Sequence, residues 1–118
     1  EKIKIAVFVS GEGTNCENII RYFADSERIE ISVVVSSKAE AHAVERAQRL
    51  GVPTAVINRH DLNDNPQLVM QTIGQCDIIV LAGFLLFIPD YLLSLFPRRI
   101  INNTPVSYTH LRAHETVL

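Results

Sequence analysis

A short loop rich in glycine is the part of this sequence whose residue types best suit the binding of an anion. Ser10-Gly11-Glu12-Gly13-Thr14-Asn15 follows an apolar run, Ile3 to Val9, and precedes a segment with helical spacing. Glycines let the backbone approach a ligand, and the first N–H groups of a helix point towards an anion. We therefore expect this loop to bind a phosphate; the alternative is a glycine-rich turn without a ligand. A side chain at Gly13, as in Gly13→Val, should weaken binding by blocking the approach of the backbone and leave the fold mostly intact.

The loop departs from two common nucleotide-binding motifs. A dinucleotide fingerprint, G-x-G-x-x-G, would need glycine at position 16, where the sequence has Cys16. The acidic residue that binds a ribose hydroxyl should follow the second strand, where Ser36-Ser37-Lys38 stands. No G-K-[ST] follows the glycines. The sequence therefore favours a terminal monophosphate.

Two further segments could contribute to a site. Leu81 to Pro89 contains Gly83 and is too apolar for an ordinary solvated loop, so it could form one wall of a pocket for a flat aromatic ligand. Core packing beneath a short helix explains this composition equally well. Asn102 ends a strand-like segment, where its carboxamide could stabilise an oxyanion. A strand-end asparagine is more often a turn residue.

Composition excludes several other kinds of function. The net charge of -2 gives no electrostatic reason to expect nucleic acid or a membrane as a partner. Cys16 and Cys76 form no C-x-x-C pair, which predicts no metal site and suggests free thiols in the cytoplasm. The longest apolar stretch, Ile78 to Ile88, is shorter than the roughly 20 residues of a membrane-spanning helix. We expect His42, on the outer face of the second helix, and His60, in a loop, to be exposed and inert.

Strand-like and helix-like segments alternate along the chain and predict one α/β domain, a Rossmann-like open parallel sheet with helices on both faces. The expected strand order is 3-2-1-4-5. Thr14 and Glu17 have the spacing of a capping box at the start of the first helix. The predicted strands are Ile3 to Val9, Ile31 to Val35, Thr54 to Ile57, Asp77 to Ala82 and Arg99 to Asn102. The predicted helices are Asn15 to Ala24, Ala39 to Leu50, Pro66 to Ile73 and Pro89 to Leu95.

Four motifs together resemble the phosphoribosylglycinamide formyltransferase family. They are Lys4 to Asn15, Val34 to Lys38, Val80 to Phe84 and Arg99 to Asn102. The resemblance covers residues 2 to 102, roughly the first half of a family member, and the S-G-x-G-[ST]-N loop is its most specific part. The tRNA formyltransferases and formyltetrahydrofolate deformylases share the fold but typically differ at this loop.

The resemblance implies a truncated formyltransferase fold and an activity. The enzyme would transfer a formyl group from the cosubstrate 10-formyltetrahydrofolate to the amine of glycinamide ribonucleotide in de novo purine biosynthesis, without a metal. Three sets of residues carry over: Gly13, Thr14 and Asn15 at the substrate phosphate, Leu85, Leu86, Phe87 and Ile88 at the folate, and Asn102 in catalysis. Many members have arginine where this sequence has Leu86.

The family pattern ends after Asn102. Asn103 to Leu118 is polar and has no clear period, so we divide the chain into residues 1–102 and a tail, 103–118, that does not look native. Thr104 stands where the family has its general-acid histidine, and the family's aspartate lies in a second half that this chain lacks. We therefore expect impaired or absent catalysis, and an exposed edge on the fifth strand. The alternatives are an inactive phosphate- or nucleotide-binding module, an NADP-binding domain, or another enzyme of the fold such as the deformylase.

Overall fold

The computed structural model describes residues 2–103 and the backbone of residues 116–117. These residues form a parallel sheet with the order β3-β2-β1-β4-β5-β6. The strands are β1 Ile3–Val9, β2 Ile29–Ser36, β3 Thr54–Val56, β4 Ile78–Leu81, β5 Ile100–Asn102 and β6 Thr116–Val117. The predicted order of the first five strands is confirmed.

Helices cover both faces of the sheet, as the alternation of segments predicted. They are α1 Thr14–Tyr22, α2 His42–Arg49, α3 Arg59–Asp64, α4 Pro66–Ile73 and α5 Asp90–Leu95. Successive strand residues point to opposite faces. Ala6 and Phe8 therefore join a core cluster with α3, α4 and α5. Val7 and Val9 join a second cluster with α1 and α2.

Helix α3 was not predicted, and His60 lies on it rather than in a loop. The helix has six residues and buries Leu62, so it is too short to show a helical hydrophobic period. Its N-cap is Asn58, whose Oδ1 accepts a hydrogen bond from the backbone N–H of Asp61 at 2.8 Å. Asn58 was the sequence signal that could have indicated the start of this helix, because asparagine is a preferred N-cap residue.

The predicted capping box at the start of α1 is wrong, although the helix does begin at Thr14. The N-cap is Gly13, with φ at 83°, and no side chain caps the helix there. The Glu17 carboxylate instead accepts hydrogen bonds from the guanidinium groups of Arg21 and Arg46. Hydrogen bonds from charged donors are stronger than those from a neutral backbone N–H.

The segment 103–118 is described only at Asn103 and at the backbone of β6. β6 pairs in parallel with β5, with Thr116 opposite Ile101 and Val117 opposite Asn102. The edge of β5 is therefore covered at these two positions, contrary to expectation. Thr104 lies outside the described residues, and the division of the chain at residue 102 stays a prediction. None of the helices α1 to α5 has the length and hydropathy to cross a membrane.

Candidate functional site

The candidate residues gather at one edge of the sheet because the strands are parallel and their carboxyl ends lie together. The Gly11–Asn15 loop follows β1, residues 83–88 follow β4, and Asn102 ends β5. β1 is paired with β2 on one side and β4 on the other, so the strand order reverses beside it. Ligands of open α/β sheets bind at such a reversal. The predicted placement of the Gly13 loop and Asn102 at the same edge is confirmed.

A cavity of about 190 Å³ lies between the loop after β1 and the loop after β4. Its lining includes Gly13, Thr14 and Asn15 on one side and Gly83 on the other. The first α1 hydrogen bond runs from Glu17 N to Gly13 O at 2.8 Å, so the preceding N–H groups have no partner within the helix. These donors and the positive end of the α1 dipole make the cavity suitable for an anion.

Gly13 is required by packing as well as by backbone conformation. A Cβ atom at Gly13 would lie 2.5 Å from Ala43 Cα, and the residue has a φ of +83°. The loop is held against α2 by a hydrogen bond of 3.2 Å from Ala43 N to Gly11 O. The expectation that a side chain at Gly13 leaves the fold intact is therefore wrong, because it would collide with the backbone of α2.

An ion pair borders the cavity on the side of α2. His42 Nδ1 lies 2.8 Å from Glu12 Oε1, and both side chains are about two-thirds exposed. The hydrogen bond with His42 lowers the pKa of the Glu12 carboxyl. His42 is thus exposed, as predicted, but has a partner within the candidate loop. The Glu12 carboxylate, which lines the cavity, opposes an anion there.

The apolar loop after β4 contains both core residues and exposed apolar residues, the two alternatives that its composition left open. Phe84 and Ile88 belong to the core, where the Phe84 ring packs edge to face on Phe8 with centroids 5.3 Å apart. Leu85 and Phe87 are 53% and 51% exposed. Leu86 is half-buried against the core. The loop therefore combines a packed base with an exposed apolar surface beside Gly83.

Asn102 lies at the same edge, one strand beyond the apolar loop. It is opposite Leu81 in the register of β4 and β5, and is 6% exposed. Asn103 N donates a hydrogen bond of 2.9 Å to Leu81 O, which holds the chain on β4 at this point. Two inter-strand spacings separate β5 from β1, or about 10 Å. A ligand of nucleotide size could therefore reach from the Gly13 loop to Asn102.

Sequence reasoning placed Ser10 and Ser37 in motifs but missed that their side chains connect the loops of the site. Ser10 is 3% exposed. Its Oγ accepts hydrogen bonds from Ser37 Oγ at 2.8 Å and from the backbone N–H of Leu85 at 3.0 Å. A serine directly after a buried strand is a weak signal for such a role. It does not identify Ser37 or Leu85 as partners, because both are distant from Ser10 in the sequence.

Other features offer no competing chemistry among the residues that the structure describes. Two larger cavities, of about 300 Å³ and 390 Å³, lie at the amino ends of β1 and β2 and between α4 and α5, away from the strand carboxyl ends. Two others, of about 280 Å³ and 220 Å³, lie against the side chains of α2. Burial raises the pKa of the Cys16 thiol to about 12 and that of Cys76 to about 11, so neither is a thiolate near neutral pH. No group of three or more potential metal ligands occurs in residues 2–103.

Sequence comparison identifies a family and relatives of this chain. The family described as formyl transferase matches residues 3–106. A phosphoribosylglycinamide formyltransferase of Haemophilus influenzae is 32% identical in an alignment of 109 positions that covers 86% of this chain and 51% of the relative. The human trifunctional purine biosynthetic protein adenosine-3 is 30% identical in a gapped alignment of 132 positions that covers all of this chain and 13% of that protein.

Solved structures give the same result. Glycinamide ribonucleotide transformylase 1 of Geobacillus kaustophilus superposes with a TM-score of 0.77 at 30% identity, over 86% of this chain and 57% of that one. The phosphoribosylglycinamide formyltransferase of Anaplasma phagocytophilum gives 0.75 at 32% identity, over 86% and 49%. The chain thus spans about half the length of the single-activity relatives that it matches.

Proposed function

The chain belongs to the formyl transferase family, and from that premise we propose that it is the N-terminal half of a phosphoribosylglycinamide formyltransferase. The proposed reaction transfers a formyl group from 10-formyltetrahydrofolate to the amine of glycinamide ribonucleotide, a step of de novo purine synthesis. The observation that carries the proposal is the cavity between the Gly13 loop and Gly83, at the sheet edge where Asn102 also lies.

The phosphate of glycinamide ribonucleotide is the proposed ligand of Gly13, Thr14 and Asn15. The uncapped N-terminus of α1 supplies backbone donors, and Gly13 brings that backbone to the cavity without a side chain. A monophosphate suits a short loop with one helix N-terminus better than a diphosphate does. Nothing in this arrangement requires a metal.

The folate is proposed to bind at Leu85, Leu86, Phe87 and Ile88. The exposed side chains of Leu85 and Phe87 offer an apolar surface for a flat pterin ring, and buried Ile88 fixes the backbone beneath it. Leu86 is half-buried and its side chain packs on the core, so its proposed contact with the folate is through the backbone. The arginine of many relatives at this position has no equivalent in this chain.

Asn102 is the proposed catalytic residue of this half. When the substrate amine attacks the formyl carbon, negative charge develops on the formyl oxygen, and the Asn102 carboxamide would donate a hydrogen bond to it. Its position in β5 pre-organises that donor. Thr104, where the family has histidine, cannot act as general acid near neutral pH. Loss of one such group typically costs about 100- to 1,000-fold in rate, so we expect no measurable formyl transfer by residues 1–118 alone.

The first test measures ligand binding rather than turnover. Titration calorimetry of the chain with glycinamide ribonucleotide should detect binding, and Asn15→Asp should weaken it about tenfold or more because it places a carboxylate beside the phosphate. Gln75→Glu is the matched control, since it adds the same charge at an exposed position just before β4, at the opposite edge of the sheet. Equal affinity in wild type and Asn15→Asp would contradict the phosphate assignment.

A cytoplasmic location and small-molecule partners complete the proposal. Cys16 and Cys76 are free and buried, which suits a reducing compartment. A net charge of -2 gives no reason to expect binding to nucleic acid or to an anionic membrane.

A further inference from the structure

Three segments of the chain meet at the Ser10 hydroxyl. Ser10 ends the run of buried residues in β1, Ser37 begins the connection from β2 to α2, and Leu85 lies in the loop after β4. Ser37 Oγ donates to Ser10 Oγ at 2.8 Å, and Leu85 N donates to the same oxygen at 3.0 Å. Ser10 does not line the cavity between the loops. It can therefore act on a ligand only through the residues that it holds.

The hydroxyl completes a series of contacts that fasten the apolar loop to the end of β1. Ala82 N donates to Phe8 O at 2.8 Å, and the Phe84 ring packs on the Phe8 ring. Beyond these, the loop leaves the sheet, and the Ser10 hydroxyl is the acceptor for the part-buried backbone N–H of Leu85, whose residue is 53% exposed.

The Ser37 backbone is itself held in place, which positions its side chain beside Ser10. Ser37 N donates to Val9 O at 3.0 Å, so the turn after β2 is attached to β1 one residue before Ser10. With Ser37 donating to it, the Ser10 oxygen is oriented to accept from Leu85. The arrangement resembles a second layer of residues behind a ligand site.

We propose that Ser10 is a positioning residue for the ligand loop at residues 83–88, with Ser37 orienting its hydroxyl. The bond to Leu85 fixes the backbone from which the exposed side chains of Leu85 and Phe87 project, and so selects the geometry that accepts a folate. The inference rests on the proposed function for the identity of that ligand. Because Ser10 directly precedes Gly11, the same residue sets the apolar loop relative to the phosphate loop.

The experiment compares three serine variants of the full chain by amide hydrogen exchange and by titration with 10-formyltetrahydrofolate and ribose 5-phosphate. In Ser10→Ala, the Leu85 amide should exchange about tenfold faster and the folate Kd should rise about tenfold, as expected for the loss of one part-buried hydrogen bond. The ribose 5-phosphate Kd should change less than about twofold, because the α1 donors are untouched. Ser32→Ala is the control, since Ser32 Oγ donates to Ile5 O far from the site.

Ser37→Ala provides a second variant at a less buried position. This variant keeps Ser10 as the acceptor for Leu85 but removes the hydrogen bond that orients the Ser10 hydroxyl. Leu85 exchange and the folate Kd should therefore rise about threefold, while the ribose 5-phosphate Kd stays nearly unchanged. If Ser10→Ala does not fold, Ser37→Ala decides. Unchanged Leu85 exchange, or equal weakening of both ligands, would overturn the inference. A wild-type chain that binds no folate would contradict the proposed function instead, and Leu85 exchange would still decide whether Ser10 holds the loop.

Discussion

At the scale of single residues, two separate requirements explain the glycine at position 13: a left-handed backbone conformation and a lack of space for a side chain. Its φ of +83° lies in the region that favours glycine, and the space where a Cβ would lie is filled by Ala43. Gly51 has a nearly identical φ of +81° but nothing within 4 Å of its Cβ position. The two glycines therefore separate the cost of backbone conformation from the cost of collision.

We predict that Gly13→Ala lowers the free energy of unfolding by about 2–4 kcal/mol, since a left-handed conformation and an overpacked contact add together. Gly51→Ala should cost about 1 kcal/mol from conformation alone. Urea unfolding of the two variants measures both. Equal losses would show that α2 moves aside and that the close approach of Gly13 to Ala43 is not a constraint.

At the scale of elements, Glu17 is the polar connection between α1 and α2. Its carboxylate binds Arg46 of α2 and Arg21 of its own helix. The hydrogen bonds with Arg46 and then Arg21 lower the pKa of the Glu17 carboxyl. A carboxyl with a lowered pKa in the folded state stabilises the fold above its unfolded pKa, and that contribution disappears as the pH falls through the folded pKa.

We therefore predict that Glu17→Gln destabilises the chain near neutral pH and that the difference from wild type shrinks as the pH falls below 4.5, the ordinary pKa of this carboxyl. Glu45→Gln is the matched control because it removes an exposed ion pair within α2, Glu45 with Arg49. Exposed pairs typically contribute less than about 1 kcal/mol. The measurement is thermal unfolding of both variants from about pH 3 to about pH 7, a range that spans the ordinary pKa of a glutamate. Identical behaviour of the two variants would contradict the prediction.

At the scale of the whole molecule, the chain supplies the Gly13 loop, the apolar loop after β4 and one strand-end asparagine at a single edge of the sheet. Thr104 lies outside the described residues, so the division at residue 102 is a proposal. We predict that residues 1–102 joined to the second half of a family member transfer formyl groups to glycinamide ribonucleotide, whereas residues 1–118 do not. The second half would supply the general-acid histidine and the aspartate that the family resemblance implies.

Asn102→Ala in that fusion tests the part played by this half. It should lower the rate about 100- to 1,000-fold with little change in the KM for glycinamide ribonucleotide, because the carboxamide acts on the developing oxyanion. Turnover by residues 1–118 at the rate of the fusion would contradict the proposed division of the chain. An unaffected Asn102→Ala fusion would contradict the role of Asn102.

Local patterns explain which features could be predicted. β1 was predicted with its observed bounds because Ile3–Val9 is a short apolar run that ends at Ser10 and Gly11. Helix α4 was predicted from Asn65 and Pro66, whose preference for the start of a helix is local too. Helix α3 could not be predicted in this way because it is too short to show an apolar period. The predicted capping box is wrong because the Glu17 side chain binds Arg46, which lies 29 positions away in the sequence.

The sequence by itself determined the alternation of strands and helices, and with it the sheet edge that holds the Gly13 loop and Asn102, because burial and periodicity are properties of neighbouring residues. Only the tertiary structure decided which contacts cross that edge. Gly13 packs on Ala43, and Ser10 accepts a bond from Leu85, 75 positions away. Such contacts join residues that are far apart in the sequence, and they depend on how the elements pack. A local pattern of residues therefore does not identify the partner.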